Sequence, residues 1–302
     1  MATTFDLADI DRPAFLMNVP LSLSAAIPNN IWMEEMTAEE REIDRDAALR
    51  QFFDLYAYLT DRAIVYLLPS RPGLQDQTYV SNLGIVLPHL ADRTFVGARL
   101  RSSVRAGEAP LGCRFFELMG LRVRAAVAFF EGEADLKHVR GNLYVGAHGI
   151  RTSIEALHWF GSEFDMEVIP FAMEDPYLYH LDCCLLPLTS EGLVLCTEVA
   201  SARTLRALER HAEIIDVTLD DAYSGITNCV VLHDAVLCAT NSDYLRKGQQ
   251  YYQHEKAKIA ALERICAARG FTPVLFDMSE FYKSGALLSC LIMHLNRANY
   301  DR

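Results

Sequence analysis

Tyr179-His180-Leu181-Asp182-Cys183-Cys184-Leu185-Leu186-Pro187-Leu188 sets a polar turn directly before an apolar, strand-like run. Similar junctions occur at four other places, where the sequence reads Ser81-Asn82-Leu83, Gly141-Asn142-Leu143, Thr227-Asn228-Cys229 and Ser289-Cys290-Leu291. Successive junctions lie roughly 40 to 60 residues apart, a spacing that indicates a repeat architecture. Five such units can close into a ring. The polar strand entrances would then converge near the axis, where a ligand can bind.

Hydrophobic periodicity supports an α/β protein rather than separate blocks of helices and strands. Helical patterns cover 45–61, 109–119, 152–164, 201–211 and 253–269. Apolar β-rich runs cover 63–68, 78–87, 123–130, 142–146, 167–171, 184–188, 192–196, 230–237, 273–276 and 286–294. No composition shift or long linker divides the sequence, so we predict a single catalytic domain over residues 1–302.

Composition and charge limit the class of partner. The 302 residues are 51% hydrophobic and 23% charged, as expected for a globular protein that can bury a large core. The formal net charge of −12 argues against a nucleic-acid or anionic-membrane surface and allows a cationic substrate. No run approaches the ~18 apolar residues of a transmembrane helix. The sequence leaves oligomeric state open, and a homo-oligomer is compatible with it.

Cysteine usage and the amino-terminal residues predict a cytoplasmic protein. The eight cysteines are scattered and contain no Cys-x-x-Cys pair, which favours reduced thiols over a disulfide framework or a structural zinc site. Residues 1–9 carry acidic side chains where a signal peptide would need basic ones. The histidines lack metal-ligand spacing, and no glycine-rich phosphate loop is present, so we predict neither metal nor cofactor.

A thiol, an imidazole and carboxylates occur in a fixed order along the chain. Acidic residues come first in Glu131-Gly132-Glu133-Ala134-Asp135, His180-Leu181-Asp182 follows, and Cys290 comes late. A guanidinium carbon is a poor electrophile because its charge is delocalised over three nitrogens. Its hydrolysis needs a strong nucleophile, carboxylates that fix the cation and a proton donor for the departing amine. The three segments supply these groups.

Several motifs resemble the guanidine-modifying superfamily of arginine deiminases, dimethylarginine dimethylaminohydrolases, amidinotransferases and arginine dihydrolases. They are Phe15-Leu16-Met17-Asn18-Val19-Pro20, Asn30-Ile31-Trp32-Met33, Tyr79-Val80-Ser81-Asn82, Phe130-Glu131-Gly132-Glu133-Ala134-Asp135, Val145-Gly146-Ala147-His148-Gly149-Ile150-Arg151-Thr152-Ser153, Tyr179-His180-Leu181-Asp182, and Ser284-Gly285 ahead of Cys290. The resemblance covers most of the chain. It implies the pentein fold, a five-bladed, pseudo-fivefold α/β-propeller with its active site on the axis.

The resemblance also implies catalytic roles. Cys290 would attack the guanidinium carbon as a thiolate, and His180 would protonate the leaving nitrogen and then activate water. Asp135 and Asp182 resemble the carboxylates that bind the guanidinium nitrogens. The acidic motif has one residue more than the commoner Glu-Gly-Gly-Asp, so Glu131 or Glu133 can take the place of Asp135. An opposite charge nearby would lower the pKa of the thiol by one to three units.

Substrate contacts follow from the same resemblance. Arg151 corresponds to the arginine that binds the substrate α-carboxylate, and Asn30 resembles an amino-terminal contact of the dihydrolases. Asn82 matches an asparagine that dihydrolases carry near the guanidinium end, where an amide can donate to a neutral ureido oxygen. Asn228 stands at the fourth junction and would line the pocket. These matches favour an arginine dihydrolase or deiminase.

Other interpretations of these residues stay open at this point. Cys290 stands in an apolar run and can be a buried structural thiol, Asp182 can cap a turn, and Arg151 can be an exposed residue before a helix cap. An amidinotransferase would use the same groups to pass the amidino group to an amine. A catalytically silent pentein would use the fold only for binding. The sequence does not choose among arginine, agmatine and methylated arginine as substrate.

Overall fold

Five three-stranded sheets form the protein, and each contains one antiparallel and one parallel strand pair. The computed structural model describes residues 11–247 and 250–297. The amino-terminal residues that argued against a signal peptide therefore lie outside the described part. In each complete unit an antiparallel hairpin is followed by a helix and then by a strand parallel to the middle one. The predicted α/β ring of five blades is confirmed.

The elements follow one another in chain order around the ring. The first unit contains β1 (Ala14–Met17), α1 (Ile31–Glu35), α2 (Arg45–Thr60) and β2 (Ile64–Leu67). The second contains β3 (Gly84–Val86), β4 (Thr94–Gly97), α3 (Glu108–Leu118) and β5 (Arg122–Ala125). The third contains β6 (Leu136–Arg140), β7 (Leu143–His148), α4 (Ile154–Glu163) and β8 (Glu167–Ala172).

The remaining elements complete and close the ring. The fourth unit contains β9 (Leu185–Thr189), β10 (Gly192–Leu195), α5 (Ala202–Glu209) and β11 (Glu213–Asp216). The fifth contains α6 (Leu219–Tyr223), β12 (Cys229–Leu232), β13 (Ala235–Thr240), α7 (Gln250–Arg269) and β14 (Thr272–Asp277). After α8 (Ser279–Tyr282), β15 (Met293–His294) pairs antiparallel with β1 and joins the two ends of the chain.

Local sequence explains why these segments form helices and inner strands. Asp44 caps α2 by accepting from the backbone of Asp46 and Ala47, and Ser153 caps α4 through Ala156. The middle strands β7 and β13 are apolar and almost wholly buried, whereas the outer strands β5 and β11 are partly exposed. Packing of helices against the sheets therefore buries these middle strands more deeply than the outer ones.

Short 3-10 turns stand at the strand entrances and meet around the axis. They are Val80–Leu83, Gly132–Ala134, Leu181–Cys183 and Ser289–Leu291. Gly132 has a φ of +71°, and a Cβ there would lie 2.2 Å from the carbonyl oxygen of Ser81. Only glycine allows these two turns to pack so closely. The strand entrances therefore converge around the axis, as predicted.

One of the five predicted junctions is wrong. Gly141-Asn142-Leu143 forms the outer hairpin turn between β6 and β7, and Asn142 is exposed. The junction of the third unit is the acidic turn Gly132–Ala134 instead. A glycine-asparagine turn before an apolar strand looks the same in sequence at either end of a hairpin. The predicted runs 78–87 and 286–294 likewise contain a 3-10 turn before a shorter strand.

The five predicted helices occur as α2, α3, α4, α5 and α7, each with ends within three residues of the expected ones. Within the described residues, no helix has both the length and the apolar content needed to cross a membrane.

Candidate active site

A small cavity lies where the strand entrances converge. Residues from widely separated parts of the chain line it: Asn29, Asn30, Asp76, Tyr79, Asn82, Arg105, Arg151, Tyr179, His180, Ser284, Ala286 and Cys290. Predicted residues Cys290, His180, Asn82, Arg151 and Asn30 are therefore brought together. A nucleophilic thiol and an imidazole share this cavity with a carboxylate and two arginines.

His180 is held by a buried carboxylate. Its Nε2 lies 2.9 Å from Oε2 of Glu131, and both side chains are almost inaccessible to solvent. Burial alone would raise the pKa of Glu131, but the hydrogen bond with His180 and the charges of His180 and Arg151 lower it to about 2. Glu131 is therefore ionised at neutral pH and accepts from an Nε2–H. This contact fixes the orientation of the imidazole and leaves Nδ1 for proton transfer.

Cys290 stands in the turn Ser289–Leu291, and its thiol has an amide neighbour. Asn228 Nδ2 donates to Cys290 Sγ over 3.8 Å, while Asn228 Oδ1 accepts from the backbone of Ser289 at 2.9 Å. The second bond sets which end of the amide faces the sulfur. Asn228 was predicted to line the cavity. It is not among the lining residues, but its side chain contacts the nucleophile.

The thiol of Cys290 is not activated in the ligand-free protein. Burial, followed by the charge of Asp182, raises the pKa of Cys290 to about 12, and the hydrogen bond from Asn228 acts in the opposite direction. This direction is opposite to the expected lowering of the pKa. The main reason is burial of the thiol, and the charge of Asp182 adds to it. A cation bound beside the sulfur would favour the thiolate.

Replacing Asn228 with alanine should slow the alkylation of Cys290 by about three- to tenfold, because an ordinary hydrogen bond contributes roughly 0.5–1.5 kcal/mol. With a thiol pKa near 12, the rate should rise about tenfold per pH unit between about pH 7 and 10 in both proteins. Peptide mass spectrometry after iodoacetamide treatment measures the rate at Cys290. Asn142→Ala, in the exposed hairpin, is the control; equal rates in all three proteins would contradict the assignment.

Asp135 and Asp182, which were predicted to bind the guanidinium, are not among the residues that line the cavity. Asp135 accepts from Thr152 Oγ1 at 2.6 Å and from the backbone of Leu181 at 3.2 Å. Burial raises the pKa of Asp135 to about 6. Asp182 accepts from Ser289 Oγ at 2.7 Å. Both carboxylates connect neighbouring turns of the ring, and this use of their oxygens explains why they are absent from the lining.

The other acidic candidates are separated by the turn at 132–134. Glu131 faces His180, as described above. Glu133 Oε2 lies 3.0 Å from Nδ1 of His294 on β15 and also accepts from the backbone of that residue. Of the carboxylates in the acidic motif, Glu131 is the one that contacts His180. From the sequence alone, Glu131 was an alternative to Asp135.

Two arginines also line the cavity. Arg105 is buried and binds both carboxylate oxygens of Glu108, while its Nη1 donates to Asn82 Oδ1 at 3.0 Å. Arg151 donates to the backbone oxygen of Asn29 at 2.6 Å and lies over the ring of Tyr179. Its Nη1 is 3.7 Å from Glu131, too far for a hydrogen bond.

Asp76 supplies a carboxylate oxygen without a protein partner. Its Oδ2 accepts from the side chain of Asn29, but Oδ1 has no hydrogen-bond partner although it is buried. Burial raises the pKa of Asp76, and the charge of Arg105 counteracts this effect. Because an unpaired buried oxygen is costly, its place in the cavity wall is well suited to an N–H group of a ligand.

Asn82 and Asn30 are fixed by protein contacts. Asn82 Nδ2 donates to the backbone oxygen of Glu131 at 3.2 Å, and its Oδ1 accepts from Arg105. Asn30 caps α1 through Met33 and donates to the backbone oxygen of Ser284 at 3.0 Å. Asn30 therefore holds the α1 segment over the cavity as well as lining it.

Some lining residues were missed in the sequence. They are Asn29, Asp76, Tyr79, Arg105, Tyr179, Ser284 and Ala286. Asp76 and Arg105 lie in loops, where a charged residue looks like ordinary solvated surface. A signal existed for Tyr79, Tyr179 and Ser284, which belong to the motifs quoted from the sequence.

Comparisons with known proteins agree with this arrangement. No family model matches the chain. The bifunctional arginine dihydrolase/ornithine cyclodeaminase AgrE of Nostoc sp. is 26% identical over 296 residues, which is 96% of this chain and 39% of AgrE. The N(G),N(G)-dimethylarginine dimethylaminohydrolase of Mycobacterium tuberculosis is 27% identical over 288 residues, 93% of this chain and 85% of that protein. The structure of unliganded AgrE superposes with a TM-score of 0.82 at 26% identity, covering 96% of this chain and 40% of AgrE.

The chain is similar over almost its whole length to members of the guanidine-modifying superfamily. Its five-bladed fold is the pentein fold of that superfamily. The chain spans about two fifths of the length of AgrE, so the two activities in the name of that relative belong to a longer protein. The superfamily resemblance drawn from the sequence motifs is confirmed.

Proposed function

We propose that the protein hydrolyses the guanidino group of free arginine or a close analogue through a covalent amidino-enzyme. The observation that carries this proposal is that one cavity holds the Cys290 thiol, the Glu131-oriented imidazole of His180 and the unpaired oxygen of Asp76. These groups match the two chemically distinct ends of a cationic amino acid. AgrE, which is similar to this chain, has been crystallised as a cysteine variant with L-arginine.

The reaction begins when a bound guanidinium favours transfer of the Cys290 thiol proton to His180, which leaves the thiolate. The sulfur attacks the guanidinium carbon and a C–S bond forms. The C–N bond to a terminal nitrogen then breaks, and His180 supplies the proton that lets ammonia leave. Water attacks the amidino carbon after giving a proton to His180, and the C–S bond breaks. The thiolate is regenerated and a ureido product is left.

Asp76 and Arg151 would select a free α-amino acid. Asp76 Oδ1 is placed to accept from an α-ammonium group, and the Nη1 of Arg151 can bind an α-carboxylate. Agmatine has no carboxylate and would leave Arg151 unused. Arginine thus fits the charges better than agmatine does.

A dihydrolase reaction is the form that we favour, and a deiminase is the second. In the dihydrolase reaction a second round at the ureido carbon releases ornithine, carbon dioxide and another ammonia. Arg105 binds Asn82 Oδ1, so the Nδ2 end of that amide is turned away from the arginine. One N–H of Asn82 Nδ2 donates to the backbone oxygen of Glu131, and the second N–H can donate to a neutral ureido oxygen. An aspartate at this position would favour the cation alone.

Mass spectrometry of products after incubation with a panel of guanidino compounds tests the proposal, with Cys290→Ala as control. Ornithine with ammonia supports the dihydrolase, and citrulline alone supports the deiminase. Turnover only after an acceptor amine is added would identify an amidinotransferase. No product with any compound, together with slow labelling of Cys290 that no guanidino ligand prevents, would identify a silent binding protein.

Arg151→Gln should lower kcat/KM for arginine by about 10- to 100-fold, because a charge-assisted hydrogen bond contributes roughly 1.5–3 kcal/mol. The same substitution should leave kcat/KM for agmatine nearly unchanged. Steady-state kinetics with both substrates gives the comparison, and Arg114→Gln on the exposed side of α3 is the control. An equal loss for arginine and agmatine would show that Arg151 does not read the carboxylate.

A further inference from the structure

Two cysteines outside the cavity face each other across a hairpin. Cys229 on β12 is the direct antiparallel partner of Cys238 on β13, so their side chains project from the same face of the sheet. Both residues are buried and neither is in a disulfide; Cys229 Sγ donates to the backbone oxygen of Ile226 at 3.2 Å and Cys238 Sγ to that of Ala239 at 3.5 Å. The reaction proposed above uses neither of them.

The spacing of this pair suits a disulfide. Directly paired residues of antiparallel strands have Cα atoms about 4.5 or 5.5 Å apart. Disulfides span Cα separations of roughly 4.4–6.8 Å, so either kind of pair can be bridged with little backbone movement. Cys183 and Cys184 are adjacent in the chain and provide no comparable cross-strand pairing.

A buried cation lies next to the pair. Lys258 on α7 is wholly buried, and its Nζ donates to the backbone oxygen of Ala239, the residue after Cys238, at 2.9 Å. The Cys229 side chain lowers the pKa of Cys238, and the charge of Lys258 acts in the same direction against burial. Cys238 is therefore the better placed of the two to react as a thiolate.

We propose that Cys229 and Cys238 form a reversible disulfide when the protein meets hydrogen peroxide. The Cys238 thiolate attacks one peroxide oxygen, the O–O bond breaks, and a sulfenic acid and hydroxide form. The Cys229 thiol then attacks the sulfenic sulfur, an S–S bond forms, and water leaves. Together two thiols and one peroxide give one disulfide and two waters, so the thiols lose the two electrons that the peroxide gains.

The bridge would act on the nucleophile through one intervening residue. Asn228 immediately precedes Cys229, and its side chain contacts both the backbone of Ser289 and the sulfur of Cys290. Bridging pulls the start of β12 toward β13, since the Cβ atoms of a disulfide are about 3.8 Å apart whereas those of a strand pair are about 4.5–5.5 Å apart. Asn228 moves with it, and the reactivity of Cys290 falls.

Peptide mass spectrometry of peroxide-treated protein tests the bridge. Trypsin leaves both cysteines on one peptide, residues 211–246, because no lysine or arginine lies between them. In Cys290→Ala protein this peptide should become lighter by two hydrogens and resist alkylation, and dithiothreitol should restore two alkylation sites. Cys229→Ala and Cys238→Ala should not give the lighter peptide, whereas Cys266→Ala, which removes another buried thiol, should give it.

Alkylation of Cys290 then tests the coupling in protein that retains this residue. Peroxide should slow it several-fold, reversibly by dithiothreitol, and the effect should be absent in Cys238→Ala. This readout needs no substrate, so failure of the proposed hydrolysis would leave it unchanged. A peptide 211–246 that still carries two alkylated cysteines, at peroxide doses that oxidise other thiols, would overturn the proposal. Equal slowing in wild type and Cys238→Ala would overturn the coupling.

Discussion

Cys290→Ala is expected to lower kcat/KM for arginine by at least about 10⁴-fold, since the loss of an enzyme's covalent nucleophile typically removes four to six orders of magnitude. Cys290 is the cysteine that lines the cavity, and it shares that wall with His180. Water cannot replace the sulfur as first nucleophile, because His180 alone would have to activate it against a delocalised cation. Ammonia release measured over the first minutes checks the result.

The same variant should still bind arginine, because its charged contacts come from Asp76 and Arg151 rather than from the thiol. Titration calorimetry with Cys290→Ala separates a lost chemical step from a lost fold. Cys266→Ala removes a buried thiol far along the chain on α7 and should keep its activity. If Cys290→Ala retained even a tenth of wild-type activity, covalent catalysis by this residue would be excluded.

Much of the fold could be predicted from local sequence. Alternation of apolar runs with amphipathic helices identified five helices, and polar residues before strands identified four of the five junctions. The pairing of β1 with β15 could not be derived in this way, because it joins residues almost a whole chain apart. Short strands such as β4 and β11 were missed for a related reason. Each contains only two adjacent apolar residues, Phe95-Val96 and Ile214-Ile215, too few for an apolar run to stand out.

The site was predictable where its residues belong to turns that recur in the sequence. Cys290, His180 and Asn82 all do, and all three line the cavity. Asp76 and Arg105 do not belong to such recurring turns, because their position depends on how the connecting segments fold. Sequence shows that Asp76 is charged, but only the packing shows that one of its oxygens is buried without a partner.

The acidic motif shows where sequence reasoning fails physically. Glu131, Glu133 and Asp135 lie within five residues, and all have the chemistry to bind a cation. The glycine at 132 adopts a left-handed conformation, and the turn sends the three side chains to His180, His294 and Thr152 respectively. Spacing alone could not distinguish these directions.

Glu131→Gln should lower kcat by about 10²- to 10³-fold, within the usual contribution of general acid–base catalysis. Glutamine preserves the size of the side chain but not its charge, so the imidazolium that forms during proton transfer loses its counter-charge. The amide can also turn its NH₂ toward His180 Nε2 and favour the wrong tautomer. The pH profile of kcat should change on the limb that reports protonated His180. A simple loss of packing would not produce this change.

Glu133→Gln is the matched control for this prediction, since it makes the same chemical change two residues away. Its carboxylate pairs with His294 on the strand that closes the ring and does not line the cavity. We therefore expect Glu133→Gln to lower the thermal midpoint of unfolding while kcat stays within about threefold of wild type, as for a residue that acts on stability alone. Single-turnover measurements on both variants, with enzyme in excess over arginine, isolate the chemical step. Only one of the two glutamates can face His180 across the turn at Gly132. A larger loss of kcat in Glu133→Gln than in Glu131→Gln would therefore show that Glu131 is not the carboxylate that orients His180.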